Sequence, residues 1–181
     1  MNICFTGNRP NKLGGYDWND PINVKIMLRL LSEIENIIEK NKDKKLHFIC
    51  GGALGIDQMS FHICNKLKEK YPGKIILELA IPFKDQPNAW FKQKDKDKYF
   101  SQLKSADIIT YVDELEKYKF DKVLRGSYHA AKLQIRNKYM VDNADLVIAV
   151  WDTSSGGTKN CVNYAKKQKK NIISLDTREM M

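Results

Sequence analysis

The chain has 181 residues, of which 43% are hydrophobic and 29% charged, values that are ordinary for one globular domain. No run of about 18 apolar residues occurs, which excludes a membrane-spanning helix, and the first ten residues lack the pattern of a signal peptide. The net charge of +9 favours anionic partners such as nucleotides, phosphates or nucleic acid. We expect one cytoplasmic domain over residues 1–181.

Apolar runs alternate with amphipathic segments from the first residue onward. Asp20 and Pro21 form a helix cap and first turn, ahead of a helical stripe of apolar residues. The predicted strands cover residues 2–6, 45–50, 74–82, 107–112, 145–151 and 171–176, and the predicted helices cover 22–42, 57–71, 88–106, 131–144 and 161–170. Residues 113–130 give no readable pattern. The alternation predicts an α/β fold, a Rossmann-like doubly wound, mostly parallel sheet with helices on both faces.

The four cysteines show no metal-ligand spacing. None forms a CxxC pair, no histidine cluster accompanies them, and three lie within apolar strand or helix patterns. They are therefore predicted to be buried free thiols in a reducing compartment. We expect no metal ion and no cofactor.

Three unusual loops follow predicted strands, at the edge where parallel sheets bind ligands. In the first, "TGNRP", Thr6, Gly7 and Arg9 lie just past strand one. An arginine in this place can contact a phosphate through two hydrogen bonds. The alternative is that Arg9 pairs with a surface carboxylate.

The second loop, "CGGALGID", is rich in glycine. Gly51, Gly52 and Gly55 would let a phosphate or ribose approach backbone N–H groups, and the following helix adds its positive end. The spacing is neither that of the dinucleotide-binding motif nor that of a P-loop. Asp57, in the first helical turn, either stabilises the helix, binds a ribose hydroxyl or acts as a catalytic carboxylate.

The third loop, "WDTSSGGTKN", also leads from a strand into a helix. Ser155, Gly156, Gly157 and Thr158 supply hydroxyls and free N–H groups, so this loop and the second could hold one phosphorylated ligand from two sides. An ordinary strand-to-helix turn is the alternative. Trp151 either stacks on a base or belongs to the core.

Arg136 lies on the helix before the fifth strand. From there it either reaches the same site or is exposed to solvent.

The stretches "CFTGNRPNKLGGY", "CGGALGIDQMS", "RNKYMVDNADLVIAVWD" and "SSGGTKN" together resemble the YpsA-like family, formerly the DUF1273 group, of the SLOG superfamily. That superfamily also holds the DprA/Smf proteins and the LOG cytokinin-activating hydrolases, and the resemblance runs from residue 2 to about residue 175. It implies a Rossmann-like fold that binds a nucleotide or an ADP-ribose-like molecule at the two glycine loops, and it implies a homo-oligomer. The ligand residues that it implies are Thr6, Gly7, Arg9, Gly51, Gly52, Gly55, Asp57, Arg136, Gly156, Gly157 and Thr158.

The resemblance leaves three functions open. The first is a sensor or sequestering protein, as proposed for YpsA-like members in bacteria and phages. The second is an N-glycosidase of nucleoside 5'-monophosphates, in which Asp57 and Arg136 would be catalytic. The LOG loop PGGxGTxxE has a glutamate where this chain has Cys161, which disfavours that activity. The third is a single-stranded nucleic-acid binder, because "GALGIDQMSFH" is similar to a DprA pattern. We expect a nucleotide-type small molecule as partner, with nucleic acid less favoured and no membrane.

Overall fold

A computed structural model describes residues 1–180 of the chain. Its centre is a six-stranded sheet in which every neighbouring pair of strands is parallel. The strands are β1 (Asn2–Gly7), β2 (Leu46–Cys50), β3 (Ile75–Ile81), β4 (Ile108–Tyr111), β5 (Leu146–Trp151) and β6 (Asn171–Asp176). This confirms the predicted Rossmann-like α/β fold, with a sheet that is parallel throughout.

Five α-helices connect the strands, namely α1 (Pro21–Lys40), α2 (Ile56–Lys70), α3 (Gln93–Ser105), α4 (Ala130–Asp142) and α5 (Gly157–Lys167). The predicted cap of α1 is present, since the Asp20 carboxylate accepts a hydrogen bond of 2.9 Å from the Ile22 N–H. Within residues 1–180, no helix is both long and apolar enough to cross a membrane.

Both faces of the sheet are covered, because neighbouring residues of a strand point to opposite sides. Phe5 and Phe48 face one side, with their ring centroids 5.8 Å apart, and belong to a core built with α1, α2 and α3. Cys4 and Ile49, their neighbours in sequence, face the other side and pack against α4 and α5. The sheet is therefore doubly wound, as expected.

Two helices begin four or five residues away from the predicted start, and the other three begin within one residue of it. The chain before α3 is a 3-10 turn over Gln86–Ala89, in which Pro87 takes the first turn, so α3 begins only at Gln93. Conversely, α5 begins at Gly157 rather than at residue 161. Of the glycines in the third loop, Gly156 is thus the cap residue of α5 and Gly157 its first residue.

The strand order, β4-β3-β2-β1-β5-β6, reverses direction between β1 and β5. These two strands pair from Ile3 opposite Leu146 to Gly7 opposite Val150. The Asn8 N–H extends the pairing by donating to the Val150 carbonyl at 3.0 Å. The loops after β1 and β5 consequently diverge from one point, and in open α/β sheets this point is where a ligand crevice forms.

Candidate functional site

Two adjoining cavities lie at the point where the strand order reverses. The Asp57 cavity, of about 310 Å³, is lined by Thr6, Gly7, Arg9, Asp57, Ala130, Leu133, Gln134, Arg136, Asn137, Gly157 and Thr158. The Lys12 cavity, of about 300 Å³, is lined by Asn8, Arg9, Asn11, Lys12, Ser154, Ser155, Gly156, Gly157 and Thr158. The two cavities share Arg9 and the first residues of α5, and each is within the size range of small-molecule sites.

The amino end of α5 forms the shared wall. Its cap residue, Gly156, has φ 143°, a conformation that favours glycine, and no side chain of residues 1–180 caps the helix. The first N–H groups of a helix have no partner within the helix, and the helix dipole makes this end positive. Because Gly157 and Thr158 line both cavities, the wall is suited to an anion.

Arg9 adds a full positive charge to this wall. Among residues 1–180 it forms no ion pair, so the predicted alternative of a carboxylate partner is absent there. Desolvation by the surrounding protein lowers the pKa of its guanidinium; Asp57 opposes this shift and Arg136 adds to it. The side chain keeps its charge and is accessible in both cavities.

Lys12 supplies a second cation, which the motifs did not point to. Its ammonium donates to the Ser154 hydroxyl at 2.5 Å and to the Ser155 carbonyl at 3.2 Å, which ties the loop after β1 to the loop after β5. Burial alone would raise the pKa of Asp152, but hydrogen bonds from the N–H and hydroxyl of Ser154, together with the Lys12 charge, lower it to about 2. Ser155 lines the cavity beside this network.

A buried ion pair closes the floor of the Asp57 cavity. The Arg136 Nη1 donates to the Asp57 Oδ2 at 2.9 Å, and both side chains are at least nine-tenths buried. Arg136 is therefore in the site and not exposed to solvent. The same carboxylate oxygen lies 3.4 Å from the Ala53 N–H. The carboxylate thus lines the cavity with its Oδ2 bound by the guanidinium.

The three glycines of the second loop line neither cavity. A Cβ on Gly51 would lie 1.1 Å from the Arg136 Nη1, and one on Gly55 would lie 2.4 Å from the Asn8 carbonyl oxygen. Gly52 has φ 69° and lies close to the side chain of Ile81. The space that a side chain would fill at these glycines is thus taken up by other atoms of the protein. A contact between these glycines and a ligand stays a prediction.

The amino end of α2 is already occupied. The Ile56 N–H donates to the Asn8 carbonyl at 3.2 Å, and a Cβ on Gly7 would collide with the Ile56 side chain. Of the two helix ends predicted to hold phosphate, the end of α5 is the one that opens into the cavities.

The remaining predicted residues divide between wall and core. Thr6 and Gly7 line the Asp57 cavity. Trp151 lines neither cavity; it packs on Val162, and its Nε1 donates to the Ser174 hydroxyl at 3.1 Å. Burial raises the pKa of the Cys161 thiol to about 11, although the neighbouring Thr6 side chain acts the other way. Cys161 is therefore a protonated packing residue behind the wall.

A model of the YspA SLOG family matches residues 3–180 of the chain. The chain belongs to the YspA SLOG family. Over 148 residues, this SLOG chain is 43% identical to the SPbeta prophage-derived protein YoqJ of Bacillus subtilis strain 168, and the match covers 82% of this chain and 84% of YoqJ. It is 25% identical to a UPF0398 protein of Halalkalibacterium halodurans, over 92% of this chain and 80% of the relative.

Among solved structures, the SLOG chain is similar to DNA processing protein A of Helicobacter pylori, a protein described with its single-stranded DNA binding mode. The TM-score is 0.53 at 18% sequence identity, and the match covers 99% of this chain and 70% of the other. The likeness is one of fold.

Proposed function

We propose that this SLOG protein binds a nucleotide, or an ADP-ribose-like phosphorylated ligand, by its phosphate at the amino end of α5. The observation that carries the proposal is the uncapped end of α5 beside Arg9, a cation with no carboxylate partner among residues 1–180. Backbone N–H groups and a guanidinium are the donors that phosphate groups take up in proteins.

The rest of the ligand would extend from this wall into the two cavities. In the Asp57 cavity, the paired carboxylate can accept a hydrogen bond from a ribose hydroxyl. In the Lys12 cavity, a second phosphate could replace the serine contacts of the Lys12 ammonium. A ligand with two phosphates would use both cavities, and one with a single phosphate would use the first.

Binding without turnover is the activity that we favour, as in a sensor or a sequestering protein. Asp57 already pairs with Arg136, and the position of the LOG glutamate is occupied by the buried Cys161. An N-glycosidase would need a carboxylate free to stabilise the developing charge on the sugar. We expect no released adenine when the protein is incubated with AMP and the products are separated by chromatography.

Titration calorimetry with AMP, ADP-ribose and adenosine tests the proposal on the full chain. We expect the two phosphorylated compounds to bind and adenosine to bind weakly or not at all. Arg9→Ala removes charge-assisted hydrogen bonds of about 1.5–3 kcal/mol, so affinity should fall about 10- to 150-fold.

Arg29→Ala is the matched control, because Arg29 is an exposed arginine that pairs with Glu33 on α1. It should leave affinity unchanged. Equal binding of adenosine and AMP, or full affinity in Arg9→Ala, would refute the phosphate site.

A second candidate is single-stranded nucleic acid. The fold neighbour binds single-stranded DNA, and exposed aromatic residues, Phe91 and Tyr128 among them, follow β3 and β4 in a chain of net charge +9. Stacking on aromatic side chains beside basic ones is the usual means of holding such strands. A mobility shift with an oligonucleotide that weakens steeply between 50 and 200 mM salt, as about 6–10 phosphate contacts would require, would favour this function.

A further inference from the structure

Tyr128 is an exposed aromatic residue in the chain segment that leads into the Asp57 cavity. Its side chain is 62% exposed, and Ala130, two residues further on, lines the cavity. Arg9 lies near enough to Tyr128 for the phenol to influence the pKa of the guanidinium. The ring packs at 90° against that of Phe83, with centroids 5.6 Å apart, and the residue stays largely exposed to solvent.

The backbone beside Tyr128 is fixed by a buried charge. The Lys132 ammonium, on α4, donates to the Asp113 carboxylate at 2.9 Å and to the carbonyls of Leu124 and Ser127 at 2.9 and 3.0 Å. Asp113 in turn accepts from the Gly126 N–H at 2.8 Å. Both charged side chains are almost completely buried, at 2% and 3% exposure.

Such an arrangement orders a loop before any ligand arrives. Fixing the residues of a free loop costs backbone entropy, and here that cost falls on folding rather than on binding. The exposed ring is therefore held in place although little packing covers it. This combination is typical of a preformed recognition surface.

Tyr16 is the other tyrosine near Arg9, but its ring is already occupied. The Lys92 ammonium lies over it, 4.8 Å from the ring centroid. Within residues 1–180, no cation lies over the ring of Tyr128. Of these two tyrosines, Tyr128 is consequently the more exposed and the one with no cation over its ring.

We propose that Tyr128 stacks on the base of the ligand, so that the site selects nucleotides with an aromatic base over sugar phosphates. This inference rests on the proposed function, since the phosphate at α5 places the ligand beside Arg9. A base stacked on an aromatic side chain gains affinity without hydrogen bonds to its edge, so the site would accept more than one base.

The test compares AMP with ribose 5-phosphate on the full chain by titration calorimetry. The unsubstituted protein should bind AMP about 5- to 150-fold more tightly, the range expected for one stacked base. Tyr128→Ala should reduce AMP affinity to near that of ribose 5-phosphate and leave ribose 5-phosphate binding unchanged. Tyr128→Phe keeps the ring and should keep AMP affinity.

Tyr16→Ala is the matched control and should lower AMP affinity by less than Tyr128→Ala. Full AMP affinity in Tyr128→Ala, or a larger loss in Tyr16→Ala, would overturn the assignment while the phosphate site stands. If neither compound binds the unsubstituted protein, the proposed function fails and this inference fails with it.

Discussion

Gly51→Ala tests whether the second glycine loop is built around Arg136. The new Cβ would lie 1.1 Å from the Arg136 Nη1 and 2.5 Å from the Asp57 Oδ2, distances at which atoms cannot remain. The backbone at Gly51 has no positive φ, so the substitution adds no conformational strain of its own. The whole effect should come from displacing the guanidinium from its carboxylate.

The size of the effect follows from the burial of this pair. Both side chains are at least nine-tenths buried, so a displaced partner leaves a carboxylate without its counter-charge in the interior. Breaking such pairs costs about 3–5 kcal/mol. For a chain of this length, that corresponds to a decrease of about 6–20 °C in the melting temperature.

Thermal and urea unfolding followed by circular dichroism measure the loss. Gly157→Ala is the matched control, because its Cβ would meet only the Gln134 Nε2 at an ordinary 3.4 Å and its φ is also unstrained. It should change the melting temperature by no more than about 2 °C. In an Arg136→Ala background the collision with the guanidinium disappears and only the contact with the Asp57 Oδ2 remains, so Gly51→Ala should cost less there than in the unsubstituted protein. An unchanged melting temperature in the single variant would refute the packing argument.

Two further predictions concern the reactivity of the thiols and the loss of stability at low pH. Burial raises the pKa of all four cysteine thiols, so a thiol reagent at pH 8 should label none in the native protein and all in urea; a rapidly labelled native thiol would contradict this. Partial burial acts to raise the pKa of Asp142, but hydrogen bonds from Tyr118 and Tyr164 lower it. A carboxyl group whose pKa is lower in the folded state than in the unfolded state stabilises the protein at pH values above the unfolded-state pKa. This stabilisation is lost as the pH falls through the folded-state pKa. Tyr164→Phe should therefore cost about 1–2 kcal/mol at pH 7 and less below about pH 4 by urea unfolding; a difference independent of pH would count against the argument.

The fold could be predicted from the sequence because its signals are local. Each of the six strands is a short apolar run closed by a turn residue, and the helices between them carry their own periodicity. The periodicity predicts the start of α5 four residues too late, because glycines at the beginning of a helix have the pattern of a loop. The sequence also predicts the start of α3 too early, because the pattern does not distinguish the 3-10 turn that contains Pro87 from the beginning of an α-helix.

The site was harder to predict because its contacts join distant residues. Asp57 and Arg136 are 79 positions apart, and nothing near Arg136 in the sequence marks it as the partner of a buried carboxylate. The same contact explains Gly51, which by pattern alone is indistinguishable from a phosphate-binding glycine. Tyr128 lies in the stretch without periodicity, and a buried lysine rather than any helix or strand orders it.

The position of β1 at the centre of the sheet has a consequence for the growing chain. Its partner β2 emerges early, but β5 begins only at Leu146, so one edge of β1 stays unpaired during most of synthesis. Contacts between residues so far apart in sequence form slowly. Arg9 and the amino end of α5 can meet only after β5 has paired with β1, so no shortened product of translation that ends before α5 could hold the site.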